Sequence, residues 1–206
     1  MITRESRRAG VRLLAPAVVL AALLAGCTEQ ADDLAGQYQS GGGGGYISGD
    51  GRVVQPPASD REDPIAYAGT LDTGEAFDSA EVAGQVVVVN FWYASCPPCR
   101  EEAPDLAKLR EQFEGEDVVM LGVNVSDTAD VALGFEKKFG VGYPSIIDAG
   151  DNAVQLAFAG SKLAPNSVPT TLILDRQGRV AARISGLLES PSVVADIVDE
   201  LLVEKA

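Results

Sequence analysis

Two cysteines, Cys96 and Cys99, bracket Pro97-Pro98 where an apolar run, Val86 to Trp92, meets a segment of helical spacing, Arg100 to Phe113. This junction constrains the chain more than any other feature. Thiols three residues apart, where a strand feeds a helix, can close a disulfide within the helix's first turn. The first thiol then sits at the helix N-terminus, where unpaired N–H groups and the macrodipole favour its thiolate. Closing so short a loop removes little chain entropy, so the pair is a poor structural staple. The arrangement points to reversible thiol–disulfide exchange.

Composition narrows the chemistry further. The chain has no histidine, which excludes Ser-His-Asp and Cys-His catalysis and removes the commonest transition-metal ligand. Zinc needs about four ligands, and a single cysteine pair supplies too few, so neither a metal nor any other cofactor is expected. The formal charge is −14, from 30 acidic and 16 basic residues. That balance argues against nucleic acid as a partner and against electrostatic binding to anionic lipid.

The N-terminus reads as a targeting segment. Arg4, Arg7, Arg8 and Arg12 surround the start of an apolar stretch, Leu13 to Ala25, which is shorter than the ~20 residues of a membrane span. It ends at Leu24-Ala25-Gly26-Cys27, which resembles a bacterial lipobox. Residues 1–26 are therefore expected to be a lipoprotein signal peptide, and Cys27 the lipidated residue anchoring the chain on the extracytoplasmic face of the cell membrane. This assignment resolves the odd cysteine count, leaving Cys96 and Cys99 as the pair. The leader's four arginines and Glu5 give it +3, so the rest of the chain carries −17. Residues 27–61, with Gly41 to Gly45 and Pro56-Pro57, read as a flexible tether. Residues 62–206 read as one domain.

Within that domain, Ile65 to Tyr67 and Glu75 to Phe77 flank Asp72-Thr73-Gly74, a small hairpin. Val86 to Trp92 is apolar without alternation, as a strand covered on both faces would be. Val118 to Val125 is a second such strand. Val131, Phe135 and Phe139 mark a helix that Ser126 or Asp127 could cap. Ser145 to Ile147 is a short strand, and Asn152 to Phe158 a short helix. Thr171 to Leu174 and Val180 to Ile184 form a hairpin about Asp175 to Gly178. A last helix opens at Ser190-Pro191. Strands alternating with helices, followed by a hairpin and a helix, imply an α/β fold with a mixed sheet flanked by helices.

The segment Val89 to Pro104, centred on Cys96-Pro97-Pro98-Cys99, resembles the active-site segment of the thioredoxin superfamily, and within it the TlpA-like, membrane-tethered thiol–disulfide oxidoreductases. Val168-Pro169-Thr170-Thr171 resembles the superfamily's cis-proline loop. The resemblance covers essentially all of 62–206. It implies a thioredoxin-like fold in which Cys96 is the nucleophile and Cys99 resolves the mixed disulfide. Pro97 fits the first helical position and Pro98 stiffens the loop. Pro169 is expected to be cis, setting the Val168 backbone opposite the nucleophile, where an extended substrate can pair with it. Glu102 matches the glutamate that this branch places three residues after the second cysteine, where it can take a proton from Cys99. Trp92 is expected beside the substrate, and Pro104 to kink the helix. One departure stands out: Ser95 occupies the position before the first cysteine, where the family usually has Trp.

The resemblance also implies partners: protein disulfide substrates, apocytochrome c cysteines among them, and a membrane thiol reductant of the CcdA or DsbD kind. A disulfide-forming oxidant is the main alternative. A thiol peroxidase would need Pro and Thr or Ser where Val89 and Tyr93 stand. A Sco-type copper carrier would need a histidine. A non-catalytic thioredoxin-like binding module is at odds with intact Cys96, Cys99 and Pro169.

Overall fold

The computed structural model describes residues 45–204. The expected signal peptide, Cys27 and the tether as far as residue 44 lie outside the described residues. The core is a seven-stranded sheet of order β1-β2-β9-β8-β5-β6-β7, with a separate two-stranded hairpin, β3-β4. The strands are β1 (Tyr46–Ile47), β2 (Val53–Gln55), β3 (Ala68–Thr70), β4 (Ala76–Asp78), β5 (Val86–Trp92), β6 (Val118–Asn124), β7 (Ser145–Ile147), β8 (Thr170–Leu174) and β9 (Val180–Ser185). The α-helices are α1 (Pro97–Gln112), α2 (Ala129–Phe139), α3 (Ala153–Phe158) and α4 (Pro191–Val203). β5, β6 and β7 run parallel, while β8 and β9 are antiparallel to their neighbours. This is the mixed, helix-flanked, thioredoxin-like architecture that the sequence implies.

β5 explains why the sheet is covered twice. All seven of its residues are buried. Because side chains alternate, Val86, Val88 and Trp92 join one core with α1, α2 and α4, built on Leu106, Phe135, Val194 and Leu201. Val87, Val89 and Phe91 join the other, with Tyr67, Ile146, Val154 and Phe158. Tyr67 lies 5.3 Å from the Phe158 ring and 6.0 Å from Phe77, which seats the hairpin on this second face. The α1 helix starts at the prolines because Pro lacks the N–H that the first turn would leave unpaired. Pro104 lies inside α1, where it forgoes the bond to the Arg100 carbonyl.

Two expectations need correction here. Composition predicts a tether running to residue 61, yet 45–61 is built into the fold. β2 pairs antiparallel with β9, and Arg61, its side chain 3% exposed, binds Asp175 (2.9 Å) and Glu204 (2.8 Å). Composition hides this because β2 is only three residues long and gains its stability from the sheet it joins. The α2 helix is preceded by Thr128 at its N-cap position, not by Ser126 or Asp127. Asp127 is occupied elsewhere: its carboxylate accepts from the Ala94 N–H (2.6 Å) and the Asn124 amide (2.9 Å).

Candidate active site

The site forms where β5 ends and α1 begins. Cys96 is the N-cap residue of α1, and Cys96 and Cys99 are joined in a disulfide with Cα atoms 5.3 Å apart. Cys96 Sγ accepts a hydrogen bond from the Cys99 N–H at 3.2 Å. A donor at that position stabilises negative charge on the first sulfur once the disulfide opens. The loop before it is clamped twice, by Asp127 on Ala94 N–H and by Arg100, which donates to the Ala94 carbonyl (3.1 Å) and lies 5.4 Å from the Phe139 ring centre. Arg100 thus frames the loop.

The Val168–Pro169 bond is cis. It brings the Val168 carbonyl oxygen to 4.0 Å from Cys96 Sγ. The loop is held by Thr170, whose hydroxyl donates to the Ser167 carbonyl (2.8 Å), and by the Gly186 N–H on the Pro169 carbonyl (2.8 Å). Pro97 is exposed, Pro98 and Val168 are half-buried, and Pro169 is buried. Ser95, in place of the usual Trp, is exposed, while Cys96 itself is only 1% exposed in the disulfide form.

Glu102 is a buried carboxyl, 1% exposed, one helical turn beyond Cys99. Asn90 Nδ2 donates to its Oε1 at 2.9 Å, and the Leu188 N–H donates to its Oε2 at 3.0 Å. Burial pushes its pKa up to about 7, although both hydrogen bonds pull the other way. Asn90 also donates to Thr171 Oγ1 (3.2 Å), which ties α1 to the strand that follows the cis-proline. Asn90, Cys99, Trp92, Tyr143 and Phe135 line a cavity of about 10 Å³. One water molecule needs roughly that space.

Trp92, expected beside the substrate, lies beneath the site instead. It is 4% exposed, its ring is 4.4 Å from Phe135, and its Nε1–H donates to Ser145 Oγ (3.1 Å). The strand period puts it on the same inward face as Val86 and Val88. The structure therefore brings the buried Cys96, Cys99 and Pro169 together beneath a rim of Pro97, Pro98 and Val168, with Glu102 one turn further along α1. It adds Asn90, Thr171 and Leu188, which sequence reasoning missed. Asn90 did leave a signal, as the single polar residue in Val-Val-Val-Val-Asn-Phe-Trp.

Among the described residues, no three His, Cys, Asp or Glu side chains cluster as metal ligands. No described helix is long and apolar enough to cross a membrane. A redox-capable cysteine pair at a helix start, facing a cis-proline loop on a thioredoxin-like sheet, defines a thiol–disulfide oxidoreductase. The chain belongs to the Redoxin family, whose profile matches residues 58–198. It is 30% identical over 168 residues to the thiol:disulfide interchange protein HelX of Rhodobacter capsulatus, covering 80% of this chain and 90% of that one. It is 29% identical over 126 residues to the thiol-disulfide oxidoreductase ResA of Bacillus subtilis, covering 61% of this chain and 66% of that one. A secreted thiol-disulfide isomerase from Corynebacterium glutamicum superposes with a TM-score of 0.65 at 30% identity, covering 78% of this chain and all of that one.

Proposed function

We propose that this protein is a lipid-anchored, extracytoplasmic reductant of disulfides in exported proteins, with apocytochrome c cysteines as one substrate. The observation that carries the reading is the Cys96–Cys99 pair at the start of α1, with the protonatable Glu102 buried in the same helix. The match to HelX and ResA, both named for thiol–disulfide chemistry, supports it. The signal peptide at 1–26, the lipid on Cys27 and a tether beyond it follow from the lipobox resemblance. So does placement on the outer face of the cell membrane, where a thiol reductant of the CcdA or DsbD kind recharges the dithiol.

The cycle starts from the reduced pair. Cys96 thiolate attacks one sulfur of a substrate disulfide, and the substrate's other sulfur leaves as thiolate. An extended substrate pairs with the Val168 backbone, against a rim of Pro97, Pro98 and Pro169. Cys99 then gives its proton to the carboxylate of Glu102, one helical turn further along α1. The Cys99 thiolate attacks Cys96 Sγ, and the second substrate thiolate departs. Two electrons have passed to the substrate, and the pair is left as the disulfide. A Glu102 pKa near 7 suits this task, since the group can both accept and return a proton at neutral pH.

The same geometry run in reverse would form disulfides. The deciding experiment is the equilibrium reduction potential of Cys96–Cys99 in the full chain, titrated against defined thiol buffers. A value near thioredoxin's, about −270 mV, supports the reductant. A value near DsbA's, about −120 mV, overturns it in favour of the oxidant. Labelling with radioactive palmitate, lost in Cys27→Ser, tests the anchor.

A further inference from the structure

A second pair of acids lies behind the site. Asp72, in the turn between β3 and β4, is 4% exposed, and its Oδ2 accepts from the Ser145 N–H at 3.2 Å. Glu136, on α2, accepts from Ser145 Oγ at 2.7 Å. That same Ser145 Oγ receives the Trp92 Nε1–H. Ser145 belongs to β7, an edge strand, and both carboxyls converge on it, Asp72 at its N–H and Glu136 at its hydroxyl. Asp72 Oδ1 is buried with no donor in reach unless a proton is added. A hydrogen bond between the Asp72 and Glu136 carboxyls supplies the missing donor if one of them is protonated.

Nothing else neutralises the pair. Among the described residues, no Lys or Arg forms an ion pair with either acid. The groups packed around them are neutral donors, Ser145 and Trp92, and the Tyr143 phenol, which feels both Glu136 and Glu102. Two like charges cannot both be held here without a large cost. Burial and the neighbouring Asp72 accordingly hold the Glu136 proton well above the ordinary carboxylate range.

The contact with Trp92 is built closely. On β6, Gly122 lies beneath the Trp92–Ser145 bond, and a Cβ there would collide with Ser145 Oγ and sit 2.8 Å from Trp92 Nε1. Trp92 in turn walls the small cavity at Cys99.

We propose that Asp72 and Glu136 share one proton and, through Ser145, fix Trp92 against Cys99, so that both acids are positioning residues for the dithiol. The inference rests on the redox reading of the site for its purpose, but not for its chemistry. When the shared proton leaves, the two carboxylates repel, the hairpin turn and α2 part across β7, and the Trp92 wall shifts. The equilibrium between disulfide and dithiol then acquires a pH dependence beyond that of the thiols and Glu102.

Trp92 is the only tryptophan of the chain, so its emission reports the brace directly. The experiment is a fluorescence pH titration of the oxidised full chain, paired with reduction equilibria against dithiothreitol at pH values on either side of the transition. The wild type should show a transition above the range of about 4 where ordinary carboxyls titrate. Glu136→Gln should abolish it, because the amide accepts from Ser145 and donates to Asp72 with no proton to lose. Asp72→Asn, which leaves Glu136 buried but removes the acid beside it, should move the transition to lower pH, and covers the case of a misfolded Glu136→Gln. Glu102→Gln should keep it. In the dithiothreitol arm, the extra pH dependence should disappear in Glu136→Gln. A wild type without the transition, a Glu136→Gln that retains it, or equal dithiothreitol equilibria in both would overturn the proposal. The dithiothreitol arm reads the cysteine pair itself, so a protein that reduced no protein disulfide would sink the functional reading and leave this one standing.

Discussion

Asn90 Nδ2 lies 2.9 Å from Glu102 Oε1, joining the only polar side chain of a buried strand to a carboxyl one turn past Cys99. The bond runs from β5 to α1 in the plane where the dithiol meets the core. It makes Asn90 the one side chain that favours the ionised form of Glu102 against the effect of burial.

Removing that donor should therefore raise the Glu102 pKa further. A hydrogen bond to a charged group is worth about 1.5–3 kcal/mol, or roughly one to two pH units. In Asn90→Ala, the pH at which mixed disulfide resolves at half its maximal rate should move up by that amount. Stopped-flow measurement of resolution between acid and alkaline pH reads it. An unshifted profile would show that Asn90 does not hold the carboxylate.

Glu102 should also leave a mark on stability. Below its ordinary pKa of 4.5 the group is protonated whether the chain is folded or unfolded. Between there and about 7 the unfolded chain releases the proton and the folded chain keeps it. Rising pH thus favours unfolding across this window, by roughly 3 kcal/mol for a shift of that size. Urea denaturation of the oxidised protein at a series of pH values should show the decline, and Glu102→Gln should make it shallower by this amount, leaving the share that Glu136 contributes.

Arg61 and Asp175 form an ion pair whose side chains are both 3% exposed. Breaking a buried pair strands a charge, at a cost of about 3–5 kcal/mol. Arg61→Ala should lose that much in urea titration, and so should a chain cut to begin at residue 62. A chain beginning at residue 45 should retain full stability. Equal midpoints for the two truncations would overturn the assignment of 45–61 to the fold.

Cys99→Ser should accumulate a mixed disulfide through Cys96 when a disulfide substrate is supplied, visible as a mass increase that dithiothreitol reverses. Cys96→Ser should trap at least tenfold less, on the order of the thiolate advantage that a helix N-terminus confers. Equal trapping by both variants would remove the distinction between attacking and resolving sulfur.

The parts of this protein that were legible in its sequence are those specified within a few residues. The buried strand Val86 to Trp92, the proline-started helix and the hairpin about Asp175 each depend on local pattern, and each stands where the pattern put it. What could not be read depends on partners distant in the chain. Glu102 takes one donor from Asn90 and the other from a backbone amide at Leu188, which no side-chain motif announces. Trp92 looked like a substrate contact because it neighbours the motif, yet strand alternation turns it inward. Asp127 looked like a helix cap, yet the Ala94 N–H, 33 residues away, claims it. Val53 and Val54 sat in a stretch of tether-like composition, and only the edge of β9 reveals them as a strand.

The amide of Leu188 lies 86 residues beyond the carboxyl it holds. A nascent chain, emerging N-terminus first, therefore presents both cysteines long before that donor exists. During this interval the Glu102 carboxyl lacks one of the two donors that hold it in the folded protein. The carboxyl beside the pair is therefore fixed only by tertiary folding, after the segment carrying Leu188 has been made and has packed back against α1.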